Sequence, residues 1–237
     1  AKTYMIGCVG QDFFGNNIVS FLNENGIHTE FISFSNQSTG VACILVDNMD
    51  NRILVDSGAN NDLSIGDVNK ALDVIAQKND ILLTQLEIPY DVVFHSLKRG
   101  KSLGLTTILN PAPAVTLDDE IYKFVDIIIP NESEAELLTG FDRSQHNFCE
   151  LVVDFFIKKG VKSVIITLGN KGAYYGSKLC SFASPNYDVD VVDTTAAGDT
   201  FVGVIGSGLA NQEDLKFLIK KANAASALTI SKTGAQS

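Results

Sequence analysis

Asp193 and Asp199 bracket a run of small residues, Thr194-Thr195-Ala196-Ala197-Gly198, just ahead of a predicted helix. Small side chains let a backbone come close to a ligand. At a helix start the N–H groups of Ala197, Gly198 and Asp199 lack intrahelical partners, and the dipole favours an anion. Such a place suits negative charge that develops during group transfer. Asp199 stands beside it, where it can act as a general base toward a hydroxyl. The same run is also compatible with an ordinary helix start, since Asp is a good N-cap and Ala and Gly pack tightly.

The elements that must position these residues alternate along the chain. Strands are predicted over Tyr4–Val9, Thr29–Phe34, Ile81–Leu86, Thr106–Leu109, Val125–Ile129 and Ser163–Leu168, with a pair of short strands in Ala173–Tyr187. Helical spacing marks Gly15–Asn25, Asp67–Gln77, Tyr90–Leu103, Ser133–Thr139, Leu151–Lys159, Gly198–Leu209 and Leu215–Thr229. This pattern predicts an α/β fold, a mainly parallel sheet flanked by helices on both faces. In open parallel sheets, ligands bind beyond the C-terminal ends of the strands. Those ends carry Glu87, Asn110, Asn131, Glu134 and Gly169. The stretch Gly40–Val55 departs from the alternation. Two apolar runs flank Asn48-Met49-Asp50-Asn51, which predicts a β-hairpin and a small antiparallel lid over residues 38–57. Two strands alone are marginal in water, so the hairpin needs a neighbouring strand or a second subunit. Residues 1–237 read as one domain carrying this lid, with no internal repeat or linker.

Composition removes several function classes. Lys and Arg total 18 against 28 Asp and Glu, a net charge of −10. That argues against nucleic-acid binding and against attachment to anionic lipid. No apolar run reaches the ~18 residues needed to span a bilayer. Cys8, Cys43, Cys149 and Cys180 show no metal-ligand spacing and are expected to be buried thiols, which points to the cytoplasm. His28, His95 and His146 are expected at the surface. No GxGxxG follows a strand, which removes a dinucleotide-dependent dehydrogenase.

Five segments together resemble the ribokinase-like (PfkB-type) carbohydrate kinases. Asp193–Val204 is similar to their signature. Asn110-Pro111-Ala112-Pro113-Ala114, the Asn-x-x-Glu of Asn131–Glu134, Thr167-Leu168-Gly169-Asn170-Lys171-Gly172 and Gln85-Leu86-Glu87 match further family segments in family order. The resemblance implies ATP-dependent phosphorylation of D-ribose to D-ribose 5-phosphate. Asp199 would be the base, and Ala197, Gly198 and Asp199 the anion hole. Glu87 would contact the sugar, Asn131 the phosphates, and Glu134 Mg²⁺ through water. Thr167, Leu168, Gly169, Asn170, Lys171 and Gly172 would lie along the nucleotide, with Asn223 near its adenine or ribose. Asp193 and Thr195, with carbonyls near Thr229, Lys232 and Gly234, resemble a K⁺ site. The lid would cover the sugar and pair two subunits in a homodimer.

Each role has a plainer rival. Asn131 with Glu132, Glu134 and Glu136 is also a capped, solvated first turn. Glu87 is also a surface residue, Asn110–Ala114 a rigid turn, and Asn223 a packing residue. The chain departs from the family in lacking a front strand with a substrate Asp and a Gly-Gly-Lys-Gly-Asn-type loop. It is expected to be a piece of a longer protein, short at both ends. Val204 stands where the family prefers Ala or Gly. Another family kinase, acting on a hexose, a deoxy sugar or a nucleoside, and a non-catalytic nucleotide-binding remnant stay open as alternatives.

Overall fold

The computed structural model describes residues 1–47 and 50–234, with side chains described outside 44–53. The predicted turn at Asn48-Met49 and the terminal Ala235-Gln236-Ser237 lie outside the described residues. Two compact units are present: Gln77–Leu86 with Leu97–Ser237 (and Ala1), and Lys2–Ala76 with Glu87–Ser96. Helix α3 (Tyr90–Ser102) contributes residues to both.

The larger unit is built on a six-stranded sheet of β5 (Ile81–Thr84), β6 (Thr106–Leu109), β7 (Ile127–Ile128), β8 (Ser163–Thr167), β9 (Ala173–Ser177) and β10 (Ser181–Ser184). Its order is β10-β9-β8-β7-β6-β5. The pairs from β5 to β8 are parallel, while β8-β9 and β9-β10 are antiparallel. Side chains alternate across the sheet. Ile108, Ile165 and Tyr175 pack with α6 (Ala197–Ala210) and α7 (Leu215–Ile230) through Phe201, Ile205, Leu218 and Ile219. The opposite face meets α5 (Phe148–Lys159). A Cβ on Gly176 would lie 2.4 Å from Val153 of that helix, so this position closes the sheet onto α5. The mostly parallel sheet with helices on both faces is the architecture expected from the sequence.

Local signals account for the helix ends. In α4 (Glu132–Thr139), Asn131 and Glu134 form a reciprocal capping box, and Gly140 closes the helix at φ 74°. Gly160 closes α5 at φ 110°, and the Asp214 side chain caps α7. The predicted strand Val125–Ile129 pairs in the ladder only at Ile127 and Ile128. A 3-10 turn over Ile121–Phe124 precedes it, and the buried Asp126 carboxylate takes the Thr107 N–H at 3.0 Å.

The smaller unit holds β1 (Tyr4–Gly10) parallel to β2 (His28–Ser35), joined by α1 (Phe13–Glu24). Then follow the antiparallel pair β3 (Val41–Asp47) and β4 (Asp50–Asp56), a 3-10 turn, and α2 (Ile65–Ile75). Asp12 caps α1 through the Gly15 N–H at 2.8 Å, and its other oxygen takes the Thr39 N–H at 2.7 Å. Thr39, just before the hairpin, is thereby held to the β1–α1 turn.

The cysteine expectation holds only at Cys8. Cys43 and Cys180 are exposed and Cys149 is half-buried. The apolar run around Cys43 lies on a two-stranded ribbon whose side chains at Val41, Leu54 and Val55 are themselves exposed, so apolarity there does not bring burial. Burial, reinforced by Glu150 and Glu132, pushes the Cys149 thiol up to about 11. Of the three histidines, only His146 is fully at the surface. His28 stacks on Tyr4, and His95 shares a 2.8 Å hydrogen bond with Asn69.

Candidate active site

The run ahead of α6 is stapled to the end of α7. Ile230 O accepts the N–H groups of Val192 and Asp193 at 2.8 and 3.1 Å. Asp193 Oδ1 then accepts the Thr195 N–H (2.9 Å) and hydroxyl (2.6 Å), and Oδ2 accepts the Gly234 N–H at 3.0 Å. The Thr195 hydroxyl and N–H and the Gly234 N–H hold the Asp193 carboxyl below the usual carboxylate range. Of the remaining predicted cation ligands, the Thr229 hydroxyl meets Thr200 at 3.0 Å and the Thr229 carbonyl accepts the Lys232 N–H at 3.1 Å.

Past Thr195 the backbone enters the left-handed region at Ala196, φ 61°, and α6 begins with no side-chain cap. A non-glycine residue in this conformation costs about 1–2 kcal/mol, a strain that clusters at functional sites. The Ala197 N–H is taken by Thr194 O at 3.4 Å. Gly198 and Asp199 lie in the first turn, where a helix leaves its N–H groups without intrahelical partners. Ser226 Oγ donates to Ala197 O at 2.9 Å and fixes this turn against α7.

Beside the turn lies a cavity of about 160 Å³, lined by Asn110, Asn131, Glu134, Thr167, Gly198 and Asp199 together with apolar residues. Asn110, Asn131 and Thr167, which line it, stand at or just past the ends of β6, β7 and β8. Asn131 pairs with Thr167 in an isolated bridge next to β8. The Asn131 N–H and amide each donate to one Glu134 oxygen at 2.8 Å. Burial raises the Glu134 carboxyl above its usual range, the Asn131 N–H opposes that, and the charge of Asp199 adds to it. Among the described residues no three His, Cys, Asp or Glu cluster as metal ligands.

The loop after Thr167 turns tightly at Gly169–Lys171 and closes with Leu168 N–H on Gly172 O at 2.8 Å. Asn186 Nδ2 holds Gly169 O at 3.2 Å, and Lys171 Nζ lies 3.6 Å from Glu132. Gly172 has φ 94°, and a Cβ there would lie 2.1 Å from Ser184 O. Thr167 lines the cavity, while Leu168, Gly169, Asn170, Lys171 and Gly172 run on from it. Asn223 is 3 % exposed, and its amide nitrogen donates to Ser184 O, Ser184 Oγ and Pro185 O. It pins the end of β10. Glu87 is exposed in the segment after β5 and belongs to the smaller unit.

Gln85, which the sequence offers only as part of the Gln85-Leu86-Glu87 segment, takes a role of its own here. Its Nε2 donates to Asp199 Oδ1 and to Asn110 Oδ1, both at 3.1 Å, and Asn110 Nδ2 donates to Ile129 O at 2.9 Å. The available signal was its place at the end of β5, two residues before Glu87.

The pfkB family carbohydrate kinase model matches residues 1–237. The ribokinase of Haemophilus influenzae is 39 % identical over 239 residues, covering all of this chain and 78 % of that protein. The ribokinase of Staphylococcus aureus is 38 % identical with the same coverage. The structure of Arabidopsis thaliana ribokinase complexed with ribose and ATP superposes with a TM-score of 0.87 at 28 % identity, covering 99 % of this chain and 77 % of that one. A match along the full length, with a shared fold and a carboxylate at an uncapped helix start, leads to one conclusion: the chain belongs to the pfkB family of carbohydrate kinases.

Proposed function

We propose that this chain catalyses ATP-dependent phosphorylation of D-ribose to D-ribose 5-phosphate, with Asp199 as general base. The observation that carries the reading is the cavity in which Asp199, Gly198, Asn131 and Glu134 converge. Relatives named ribokinase at 38–39 % identity support the substrate, and the Arabidopsis thaliana ribokinase complexed with ribose and ATP supports the phosphoryl donor. Asp199 accepts the proton of the sugar 5-hydroxyl, and the N–H groups of Gly198 and Asp199 bear the charge that develops on the transferred group. Asn131 orients the phosphates, and the Thr167–Gly172 loop borders the nucleotide. Asn223 acts on that nucleotide indirectly, by holding Ser184 and Pro185 in place.

Glu134 fits Mg²⁺, which takes few carboxylates and keeps several waters. When bound, the ion neutralises phosphate charge. Burial and the charge of Asp199 raise the Glu134 carboxyl, and a bound cation would offset both. Asp193, Thr195, Thr229, Lys232 and Gly234 form the candidate K⁺ site, and an ion there would tighten the segment ahead of α6. Residues 1–237 are read as one kinase domain, and the hairpin β3–β4 as a lid that pairs two subunits. No helix among the described residues is long and apolar enough to cross a membrane. The free thiols at Cys8, Cys43, Cys149 and Cys180 favour a cytoplasmic enzyme.

The test is ADP release with ATP, Mg²⁺ and K⁺, with and without D-ribose, run beside 2-deoxyribose, a hexose and a nucleoside. Ribose-dependent turnover above the other acceptors is expected. A preference for another acceptor would move the substrate within the family, and no turnover with any of them would overturn the reading.

A further inference from the structure

We infer that Gln85 is the positioning residue for Asp199, through a one-way chain of amide donors that begins at the sheet backbone. The argument rests on Asp199 being the base, as proposed above, and on the direction of three hydrogen bonds. The Ile129 carbonyl can only accept, so Asn110 must turn its Nδ2 toward it, at 2.9 Å. Asn110 Oδ1 then faces the other way, toward Gln85. That oxygen can only accept, so Gln85 must present Nε2, at 3.1 Å. The same Nε2 reaches Asp199 Oδ1 at 3.1 Å. A flipped Gln85 would place its own oxygen against both Asn110 Oδ1 and a carboxylate, which is repulsive on both sides.

The chain starts on rigid backbone. Ile129 is 1 % exposed, and its N–H donates to Leu109 O at 2.9 Å. Asn110 is 8 % exposed, and its N–H donates to Thr84 O at 3.0 Å. Three adjacent strand ends, those of β5, β6 and β7, therefore set the direction of one amide. That amide engages Oδ1 of Asp199 and leaves Oδ2 for the substrate hydroxyl. A base held within a small angular range transfers protons faster than a free rotor, and side chains that hold it owe their effect to such rigid supports.

The experiment compares the parent with Gln85→Leu, Asn110→Leu and the double variant, by steady-state kinetics and by crystal structures. Gln85→Leu keeps the bulk and removes the donor. Its kcat is expected to fall tenfold to a hundredfold, with KM for ATP within twofold of the parent. Asn110→Leu frees Gln85 to flip and is expected to lose part of the same factor. The double variant is expected to be no worse than Gln85→Leu, because both residues act along one chain. In the Gln85→Leu structure the Asp199 carboxylate is expected to leave the orientation it has in the parent. A kcat within twofold of the parent, losses that multiply in the double variant, or an unmoved Asp199 would each overturn the inference. Should the parent fail to phosphorylate any acceptor, the functional reading falls, and the position of Asp199 in the variant structure still decides the Gln85 contact.

Discussion

Asp193 Oδ2 accepts the N–H of Gly234 at 3.0 Å, a bond that joins residues 41 apart in sequence. Its other oxygen holds Thr195, so one carboxylate ties the segment ahead of α6 to the segment behind α7. Asp193→Ala is therefore expected to loosen the left-handed turn at Ala196 and lower kcat at least tenfold, with a smaller change in KM for ribose. Its rate should also lose any stimulation by K⁺ over tetramethylammonium. The carboxyl is depressed in the folded state, so its contribution is complete above the unfolded value near 3.9 and is lost as pH falls through the folded one. Parallel assays in the two salts check this.

Asp199→Asn keeps the shape and removes the base. The expected loss in kcat is about 10²–10⁴-fold, the range for general base catalysis. Binding of ATP, read by calorimetry, should change little. Retention of most of kcat would mean that another group takes the proton.

Glu134 serves two ends that two substitutions separate. Glu134→Gln keeps a capping side chain at the third helix position, whereas Glu134→Ala removes it at a cost of about 1 kcal/mol. The folded-state carboxyl is raised, so stability falls as pH climbs from the unfolded value toward the folded one. Glu134→Gln, with one acceptor oxygen left for Asn131, should then keep a Tm at pH 7 closer to the parent than Glu134→Ala does, while losing activity. Glu134→Ala should lose both. Thermal melts beside Mg²⁺ titrations of the rate make the distinction.

Gly172→Ala would add a Cβ 2.1 Å from the Ser184 carbonyl oxygen on a backbone at φ 94°. The left-handed strain alone is about 1–2 kcal/mol, and relief of the clash must move backbone. A loss of at least about 2 kcal/mol in denaturant melts is expected, with a raised KM for ATP.

Asp126 is 5 % exposed and receives Lys101 and Lys162 at 2.7 Å and the Thr107 N–H. Burial pushes its carboxyl up, but Lys101, Lys162 and Thr107 together outweigh it and hold the group low. Its stabilisation is thus present above pH of about 3.9 and is lost as pH falls through the folded value. Asp126→Ala should cost about 2–3 kcal/mol at pH 7, near the lower end because Lys162 is largely in water. The gap between variant and parent should close as melts are taken to lower pH.

Much of this was legible because the cues are local. Thr106–Leu109 and the start of α3 at Tyr90 follow directly from apolar spacing, and Gly140 and Gly160 mark where helices stop. The Asp193–Asp199 run and Asn131–Glu134 stand out because small residues and carboxylates recur at helix starts. The strand at Ile127–Ile128 was overextended since apolarity reports burial, and Val125 and Ile129 are buried without belonging to the ladder. The role of Gln85, as distinct from its place beside Glu87, is not legible for a different reason. An amide carries no charge to draw the eye, and its value comes from Asn110 and Asp199, which are 25 and 114 residues away. Cys43 was misplaced because a run of apolar residues does not say whether anything covers it.

The antiparallel end of the six-stranded sheet, β8-β9-β10, differs from the rest in how its contacts are spaced along the chain. Short turns join β8 to β9 and β9 to β10, whereas the parallel pairs β5-β6, β6-β7 and β7-β8 each form across a longer intervening excursion of the chain. Closing short loops costs little entropy, so contacts of low sequence separation are the first to be rewarded during folding. The meander that ends at Ser184 is then the expected starting point of order in the larger unit. Asn223 of α7 bonds to Ser184 and Pro185, so the meander also presents the contacts on which the last long helix docks.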